Sequence, residues 1–322
     1  MSTAKTCEAI MQADIEEMCR ALRPETIGCF ELPDVSVLPV RALVSSGATT
    51  WLVDSHVGRI EELLADHIAR VDEGRPCLAC EPTIAGQDVC ASYLPATSDP
   101  NLHCQTLLAL PRDPARCHHF VPGQRLRVIL GDARRGRGAA FTTRVETIVA
   151  AASTPAAAVE SARLASERTK EVDVPLPIEE GSFDLVISVL APSQLMERPY
   201  CYFDSLMRRR FGTWTGSTQP AAVEDLRIAL FRRQLDSYVA ELARVTRPVR
   251  GRLYFATMPV EPSDDGWLLE RGIAECLEAL AAWFAFDFES FAPELFLRRC
   301  NGHGGVLQSA LLRRKQTIGG SP

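Results

Sequence analysis

Residues 176–188 read LPIEEGSFDLVIS, and they contain a strong secondary-structure signal. A proline, two glutamates, a glycine and a serine come first, which is the composition of a turn. An apolar run follows over residues 183–190, interrupted by Asp184 and Ser188. A short apolar run that begins directly after turn residues predicts a β-strand.

Similar runs recur along the chain and alternate with stretches of helical periodicity. Helical spacing is found at residues 8–23, which Pro24 ends, and again at 58–70 and 223–245. This alternation is typical of an α/β domain with a mostly parallel sheet. The runs that we expect to form strands are 50–53, 77–80, 126–130, 183–190 and 251–256, followed by 284–288 and 306–312 as a terminal antiparallel hairpin.

The composition of the chain excludes several classes of protein. Of 322 residues, 46% are apolar and 24% are charged, and the formal net charge is −6, so wholesale disorder is excluded. No apolar run approaches the roughly 20 residues that cross a membrane. The first residues show neither a secretory signal nor an Arg-rich transit peptide, which favours a cytoplasmic protein with reduced thiols. Most of the 11 cysteines are then expected to be buried as small apolar side chains.

The length suits one large domain with additions. We predict an N-terminal helical cap over residues 1–48, a single α/β domain over 49–315 and a flexible tail over 316–322. Long segments separate the predicted strands, and connections of this size are usually functional additions or disordered. The predicted insertions are about 82–124, 133–175 and 198–221.

Two stretches resemble one enzyme family. Residues 176–188 resemble the fourth-strand region of class I S-adenosylmethionine (SAM)-dependent methyltransferases, which reads LPF, an acidic residue and GSFDLV. Residues 241–253, ELARVTRPVRGRL, resemble the family's junction of a helix, RVLRPGG and the fifth strand. Both occur in the family's order and at about its spacing. The resemblance covers about 50–315 and implies a Rossmann-like methyltransferase fold, SAM as the cofactor, no metal, and methyl transfer as the activity.

The family has a glycine-rich turn after its first strand, in the order acid, x, Gly, x, Gly, x, Gly. With residues 50–53 as the first strand, this pattern falls on Asp54, His56, Gly58 and Ile60, a degenerate form in which the middle glycine alone is present. A glycine there lets the backbone approach a ligand closely. The resemblance therefore implies that Asp54, His56 and Gly58 contact the cofactor.

Three further positions complete the implied cofactor site. Glu81 ends the predicted second strand, where the family has an acid that binds the ribose hydroxyls. Asp132 follows the third strand and matches the family's acid near the adenine amino group, and Leu190 ends the fourth strand beside the methyl-transfer centre. Residues 191–194 lack the Asn/Asp-Pro-Pro-aromatic pattern that holds a planar amino group. A small molecule or a protein is therefore favoured as the methyl acceptor over a base amino group.

The substrate side has four candidate residues. Tyr200, Tyr202 and Trp214 follow the predicted fourth strand, where substrates enter in this fold, and they either line the substrate pocket or pack a loop on the core. His56 is the candidate catalytic residue, because a histidine pKa lies near neutrality and suits proton transfer. Its alternative role is that of a capping or packing residue.

Other functions remain open. Arginines at 125–144 and 208–210 form either a solvated surface or a face for a phosphate-rich partner such as RNA, although the acidic net charge weighs against nucleic acid. Cys77 and Cys80 lie three apart in a predicted strand, so they point to opposite faces and no zinc site is expected. The alternative to an enzyme is a methyltransferase-like scaffold or interaction subunit that has lost catalysis. The sequence does not specify the oligomeric state.

Overall fold

A computed structural model describes residues 7–32, 38–39, 42–43, 46–55, 126–189, 191–212, 214, 220–257, 276–287, 298–299 and 306–315. The strands are β1 (Thr26–Phe30), β2 (Thr49–Asp54), β3 (Leu126–Leu130), β4 (Leu185–Val189), β5 (Arg252–Thr257), β6 (Phe284–Phe286), β7 (Arg298–Arg299) and β8 (Val306–Arg314). The helices are α1 (Cys7–Leu22), α2 (Arg137–Ala151), α3 (Pro155–Arg168), α4 (Ala191–Phe211), α5 (Pro220–Val245) and α6 (276–283).

The sheet has the order β3-β2-β1-β4-β5-β8-β6, with β7 paired to β8. Strands β1 to β5 are parallel to one another, whereas β8 runs antiparallel to both β5 and β6. The run 3-2-1-4-5 is the Rossmann order, in which the direction of winding reverses between β1 and β4. The predicted fold is therefore confirmed as Rossmann-like α/β, of the methyltransferase type, with a mostly parallel sheet and an antiparallel edge.

Strand β1 was missed by the sequence reasoning, and it lies in the middle of the sheet. It pairs with β2 on one side and with β4 on the other, and four of its five residues are buried. Its sequence, TIGCF, is short and has a central glycine, which weakens a strand signal. Residues 1–48 had been predicted to be a helical cap, but this part of the chain contributes a central strand of the α/β domain.

This placement changes the numbering of the predicted strands. Residues 50–53, expected to be the first strand, belong to β2, the second. Both edges of β2 are occupied, by β1 and β3. Residues 77–80 themselves, like the predicted helix at 58–70, lie outside the part of the chain that is described. The predicted helices at 8–23 and 223–245 are confirmed as α1 and α5.

The predicted insertions at 133–175 and 198–221 are largely helical. They supply α2, α3 and most of α4, whose apolar faces pack with α5 into a second hydrophobic cluster around Phe141, Phe203 and Leu226. Pro155 stands in the first turn of α3, and Thr154 caps that helix by accepting a hydrogen bond from the Ala157 amide at 3.2 Å. No helix in the described ranges is long and apolar enough to cross a membrane. The insertion at 82–124 and the tail at 316–322 are not among the described residues.

The two stretches that carry the family resemblance contact each other. Arg244, near the end of α5, donates hydrogen bonds to the carbonyl oxygens of Ile178 at 2.6 Å and Leu176 at 3.0 Å. The fully buried Glu241 accepts one from the Leu176 amide at 3.0 Å. Arg247 pairs with Asp184 at the start of β4. These contacts lie at the amino ends of β4 and β5, so the resembling motifs stabilise the fold at the edge opposite the carboxyl ends.

Most described cysteines behave as predicted. Cys19, Cys29 and Cys276 are buried and are not disulfide-bonded, and Cys201 is exposed. Burial raises the pKa of the Cys29 thiol above its usual range, and burial together with Glu16 raises that of Cys19 to about 11. Cys7 is the exception to the expectation of reduced thiols, since it is disulfide-bonded.

Candidate ligand site at the carboxyl edge of the sheet

Three carboxylates meet at the carboxyl ends of neighbouring parallel strands. Glu31 directly follows β1, Asp54 is the last residue of β2, and Asp132 lies two residues beyond β3. All three are buried, with 1%, 1% and 4% of their surface exposed. In open α/β sheets, ligands bind beyond the carboxyl ends of the strands, next to the point where the strand order reverses. Glu31 stands at that point, so this edge is the candidate ligand site.

A buried guanidinium group lies among the three acids. The Arg134 Nε donates to Asp132 Oδ1 at 2.6 Å and lies 3.9 Å from Glu31 Oε1. The Arg134 Nη2 donates to Ser55 Oγ at 3.3 Å, and Nη1 donates to the Oε1 of Gln234 on α5 at 3.4 Å. The side chain of Arg134 is 8% exposed. One residue therefore connects the ends of three strands with a helix.

The charge of Arg134 is maintained by its neighbours. Burial by itself lowers the pKa of Arg134, but Asp132, Glu31 and Asp54 outweigh burial and raise that pKa above its ordinary value. A buried charge needs close partners of opposite sign, because removing the charge from water costs about several kcal/mol. That cost is similar in size to the whole free energy of unfolding of a domain. Among the described residues, three acids act on one guanidinium, so carboxyl groups outnumber cations in this part of the site.

Asp132 and Gln234 each have one buried polar atom without a hydrogen-bond partner among the described residues. Asp132 Oδ1 accepts from the Arg134 amide at 2.9 Å as well as from its Nε, whereas Asp132 Oδ2 is buried without a partner. The Nε2 of Gln234 is in the same situation. A buried polar atom left without a partner costs about 1–3 kcal/mol, and in folded proteins such atoms are normally satisfied by water or a ligand. Asp132 thus offers a ligand an acceptor, and Gln234 offers it a donor.

Asp54 fixes the backbone that leaves β1. Its Oδ2 accepts a hydrogen bond from the Leu32 amide at 2.7 Å, and its own carbonyl accepts one from the Gly131 amide at 2.8 Å. The Glu31 amide in turn donates to the carbonyl of Val53 at 3.0 Å. These bonds tie the chain after β1, the end of β2 and the chain after β3 to one another. The three strand ends therefore form a single, hydrogen-bonded edge.

A buried tyrosine closes the site on the side of β4. Tyr238 on α5 shares a hydrogen bond of 2.8 Å with the Ser188 hydroxyl, and its own hydroxyl lies 3.5 Å from the Phe30 carbonyl oxygen. Burial, and then the charge of Glu31, raise the pKa of Tyr238 well above its ordinary value. The phenol is therefore a neutral hydrogen-bonding group next to the acids at every physiological pH.

Several of these residues were missed by the sequence reasoning, although some signals were available. Glu31 follows a short apolar run in the same way as Asp54 does. On the buried face of α5, polar residues recur at helical spacing in Gln234, Tyr238 and Glu241, with Ser237 as a further buried polar residue. No local sequence pattern marks Arg134 as a site residue. It stands in a run of arginines, and nothing in the sequence distinguishes it from the others, whose environments in the structure are different.

Of the residues predicted for the cofactor site, Asp54 and Asp132 are described by the structure and the other four are not. Asp54 and Asp132 lie at the same edge and both act on Arg134, but Asp54 follows the second strand, so its assignment to the turn after the first strand is wrong. Counted from Glu31, the glycine positions of the family's turn are 33, 35 and 37, which are occupied by proline, valine and valine. The site residues His56, Gly58, Glu81 and Leu190 lie outside the described ranges, and their roles remain predictions.

The predicted substrate aromatics belong to the helical cluster. Trp214 is buried, and its Nε1 donates to Asp204 Oδ1 at 3.0 Å. Tyr200 packs beneath the guanidinium of Arg227, 5.2 Å from its centre, and Tyr202 donates a hydrogen bond to Glu146. All three pack in or against the cluster formed by α2 to α5. Their packing role is thus visible, and a role in substrate binding remains a prediction.

Most arginines of the predicted basic face have partners within the chain. Arg135 pairs with Asp173 at 2.7 Å, and Arg144 lies 3.9 Å from Glu171. Arg137 donates to the carbonyl oxygens of residues 172 and 233, at 3.3 and 3.0 Å. Among the described residues, no group of three or more histidine, cysteine or acidic side chains is arranged to hold a metal ion.

An apolar pocket lies at the other edge of the sheet. Its volume is about 80 Å³, and it is enclosed by α6 and strands β5, β6 and β8. Phe255, Cys276, Leu280, Phe284 and Ala310 are among its lining residues. Its lining contains no charged side chain, so it is distinct in chemistry from the acidic edge at β1 to β3.

The strand order, with a mostly parallel sheet and an antiparallel edge, is that of a Rossmann-like methyltransferase fold. No protein-family model and no curated protein matches the chain. Among solved structures, the chain is similar to the PH0226 protein from Pyrococcus horikoshii OT3, with 11% identity, a TM-score of 0.40, and coverage of 95% of this chain and 89% of that one.

A second similar structure is an arsenic(III) S-adenosylmethionine methyltransferase from Chlamydomonas reinhardtii. Its identity is 10% and its TM-score 0.34, and the alignment covers 91% of this chain and 64% of that enzyme. The chain thus spans slightly less than two thirds of that enzyme's length.

Proposed function

We propose that the chain is a SAM-dependent methyltransferase that binds its cofactor at the carboxyl edge of β1, β2 and β3. The acceptor is unidentified, and a small molecule or a protein is favoured over a base amino group. One observation carries the proposal, namely the convergence of Glu31, Asp54 and Asp132 beside the point where the strand order reverses. The resemblance of residues 176–188 and 241–253 to the methyltransferase family supports the same choice of cofactor.

The residues of the edge fit the chemical groups of SAM. Asp132 Oδ2 is a buried acceptor without a partner among the described residues, and the adenine amino group is a matching donor. Asp54 ends the second strand, so it would hold the ribose hydroxyls, the role first assigned to Glu81. The acids outnumber the cations at this edge, which favours a cationic ligand. When bound, SAM supplies a methyl group activated by its sulfonium.

The chain would contribute mainly positioning to this reaction. It holds the acceptor so that a lone pair on oxygen, nitrogen or sulfur lies in line with the methyl carbon, and it excludes water. As the new bond to carbon forms, the carbon–sulfur bond breaks with its electron pair kept by sulfur, and the acceptor's proton passes to a base. His56 is the proposed base, because its pKa suits proton transfer near neutrality.

Calorimetric titration with SAM and with its demethylated product tests the proposal. The unchanged protein should bind with measurable heat and a rise in melting temperature. Asp132→Asn should weaken binding about tenfold or more, because hydrogen bonds to a charged group contribute about 1.5–3 kcal/mol. Asp173→Asn is the matched control, since Asp173 is an exposed acid that pairs with Arg135. No heat at millimolar SAM, or equal affinities of the two variants and the unchanged protein, contradicts the proposal.

A second candidate is a methyltransferase-like protein that acts as a scaffold or interaction subunit, with RNA as a possible associate. Two observations favour it: positions 33, 35 and 37 hold no glycine, and Arg134 lies among the acids that would bind the cofactor. This candidate predicts no binding of SAM. Its RNA-associated form also predicts binding that weakens steeply with salt, and a filter assay that detects no salt-sensitive RNA binding excludes that form.

A further inference from the structure

We propose that Arg134 is the resident counter-ion of the strand-end site and that a ligand binds there by displacing its guanidinium group. The inference builds on the proposed function, because it names the residue that sets the affinity of that site. It makes Arg134 a determinant of affinity that neither touches the reacting atoms nor belongs to the residues predicted for the cofactor.

The contacts of the guanidinium carry this inference. Arg134 reaches Glu31 after β1, Ser55 after β2, Asp132 after β3 and Gln234 on α5. These are the elements that frame the carboxyl edge. A ligand at this edge would have to interact with the same acids, and two cations cannot both occupy the space between them. The guanidinium therefore stands where a cationic ligand would be stabilised.

The glycine at the start of α2 makes room for the guanidinium. An added Cβ at Gly138 would lie 3.0 Å from the Cζ of Arg134 and 3.2 Å from its Nε and Nη2. Glycine in a helix costs about 1 kcal/mol relative to alanine, so this close approach has a cost in helix stability. The amino end of a helix also has a partial positive charge that disfavours a cation. The acids, rather than the helix, hold Arg134 in place.

The guanidinium is held tightly by one partner and loosely by the others. Its bond to Asp132 is 2.6 Å long, whereas those to Ser55 and Gln234 are 3.3 and 3.4 Å, beyond the usual range for such bonds. Asp132 Oδ2 and Gln234 Nε2 remain without partners among the described residues. Displacement breaks the ion pair of Arg134 with Asp132 and its long hydrogen bonds to Ser55 and Gln234. A ligand that binds Asp132 in place of the guanidinium, and also satisfies the two atoms without partners, would compensate for most of the lost interactions.

Calorimetry with SAM on three variants tests the inference. Arg134→Met removes the resident charge and keeps the length of the side chain, and it should tighten binding about tenfold. Gly138→Ala keeps the charge but crowds the guanidinium, and it should tighten binding in the same direction. This second variant decides the matter if Arg134→Met does not fold, because alanine favours the helix. Arg163→Met is the control, since Arg163 pairs with Glu160 on the exposed surface of α3.

The outcomes separate the inference from the proposed function. Tighter binding by Arg134→Met or Gly138→Ala, with Arg163→Met unchanged, supports the counter-ion role. Equal binding by all four proteins overturns that role and leaves the methyltransferase proposal standing. Weaker binding by Arg134→Met overturns it too, since Arg134 would then be part of the ligand's own binding set. If no protein binds SAM, the proposed function is wrong and the inference is lost with it.

Discussion

The packing around Gly28 gives a sharp prediction about the central strand β1. A Cβ built at this position would lie 2.7 Å from Cε2 of Phe30 and 2.8 Å from Cδ2 of Phe183. Carbon atoms in contact are normally about 3.5–4.0 Å apart, so Gly28→Ala requires a ring to move by about 0.8 Å. Both rings are fully buried, and Phe183 also meets Trp51 edge-to-face at 5.5 Å. The rings therefore have no open space into which they can move.

The magnitude follows from two opposing effects. Overpacking a rigid core costs about 1–3 kcal/mol. Replacing glycine by alanine inside a strand returns about 0.5–1 kcal/mol, because the unfolded chain loses freedom. The middle values of these two ranges differ by about 1 kcal/mol, so we expect Gly28→Ala to lower the free energy of unfolding by about that amount. For a chain of this size, each kcal/mol lowers the melting temperature by about 2–4 °C.

Urea unfolding measures this change directly. The midpoint should fall while the slope with urea stays constant, since the surface exposed on unfolding is unchanged. A double variant, Gly28→Ala with Phe183→Leu, provides the control, because the smaller leucine relieves the methyl group's contacts with residue 183 and leaves the contact with Phe30. The two changes should then cost less together than the sum of their separate costs. Strict additivity, or a Gly28→Ala protein as stable as the unchanged one, would refute this account of the packing.

Three further predictions concern buried ionisable groups. Arg244→Met should lower the free energy of unfolding by about 3–5 kcal/mol in thermal melts, because it removes the closest cation from the buried Glu241. Burial raises the pKa of Tyr238, so above about pH 10 the unfolded chain loses a proton that the folded chain keeps, and stability falls by about 1.4 kcal/mol per pH unit from this group. Urea unfolding at rising pH should show that Tyr238→Phe lacks this part of the fall. In the native protein an alkylating reagent should modify the exposed Cys201 and leave Cys29 unmodified, because Cys29 is buried and burial raises its pKa. Mass spectrometry of digests measures the modification of each thiol.

Each of these predictions has an outcome that contradicts it. For Arg244→Met, it is a melting temperature equal to that of the unchanged protein. For Tyr238→Phe, it is an alkaline fall in stability as steep as that of the unchanged protein. For the thiols, it is modification of Cys29 at the same rate as Cys201.

The regular parts of the fold were predictable because their signals are local. Residues 183–190 form an apolar run after a turn, and 223–245 have helical periodicity, so β4 and α5 follow from short stretches of sequence. Strand β1 was not predictable in this way, because TIGCF is short and contains a glycine. Its strand conformation is stabilised by hydrogen bonds to β2 and β4, which belong to distant parts of the chain. The missed strand then shifted the role assigned to Asp54.

The candidate site also contains residues that local sequence predicts and residues that it does not. The sequence by itself determined that acids follow the strands, since Asp54 and Asp132 can be read at the ends of apolar runs. It could not determine that Glu31 stands beside them or that Arg134 and Gln234 lie between the strand ends. Those positions depend on the order of the strands and on the crossing of α5, which are set by packing between residues about 100 positions apart. Local composition places a charged residue at a strand end, but only the tertiary structure decides which charges meet.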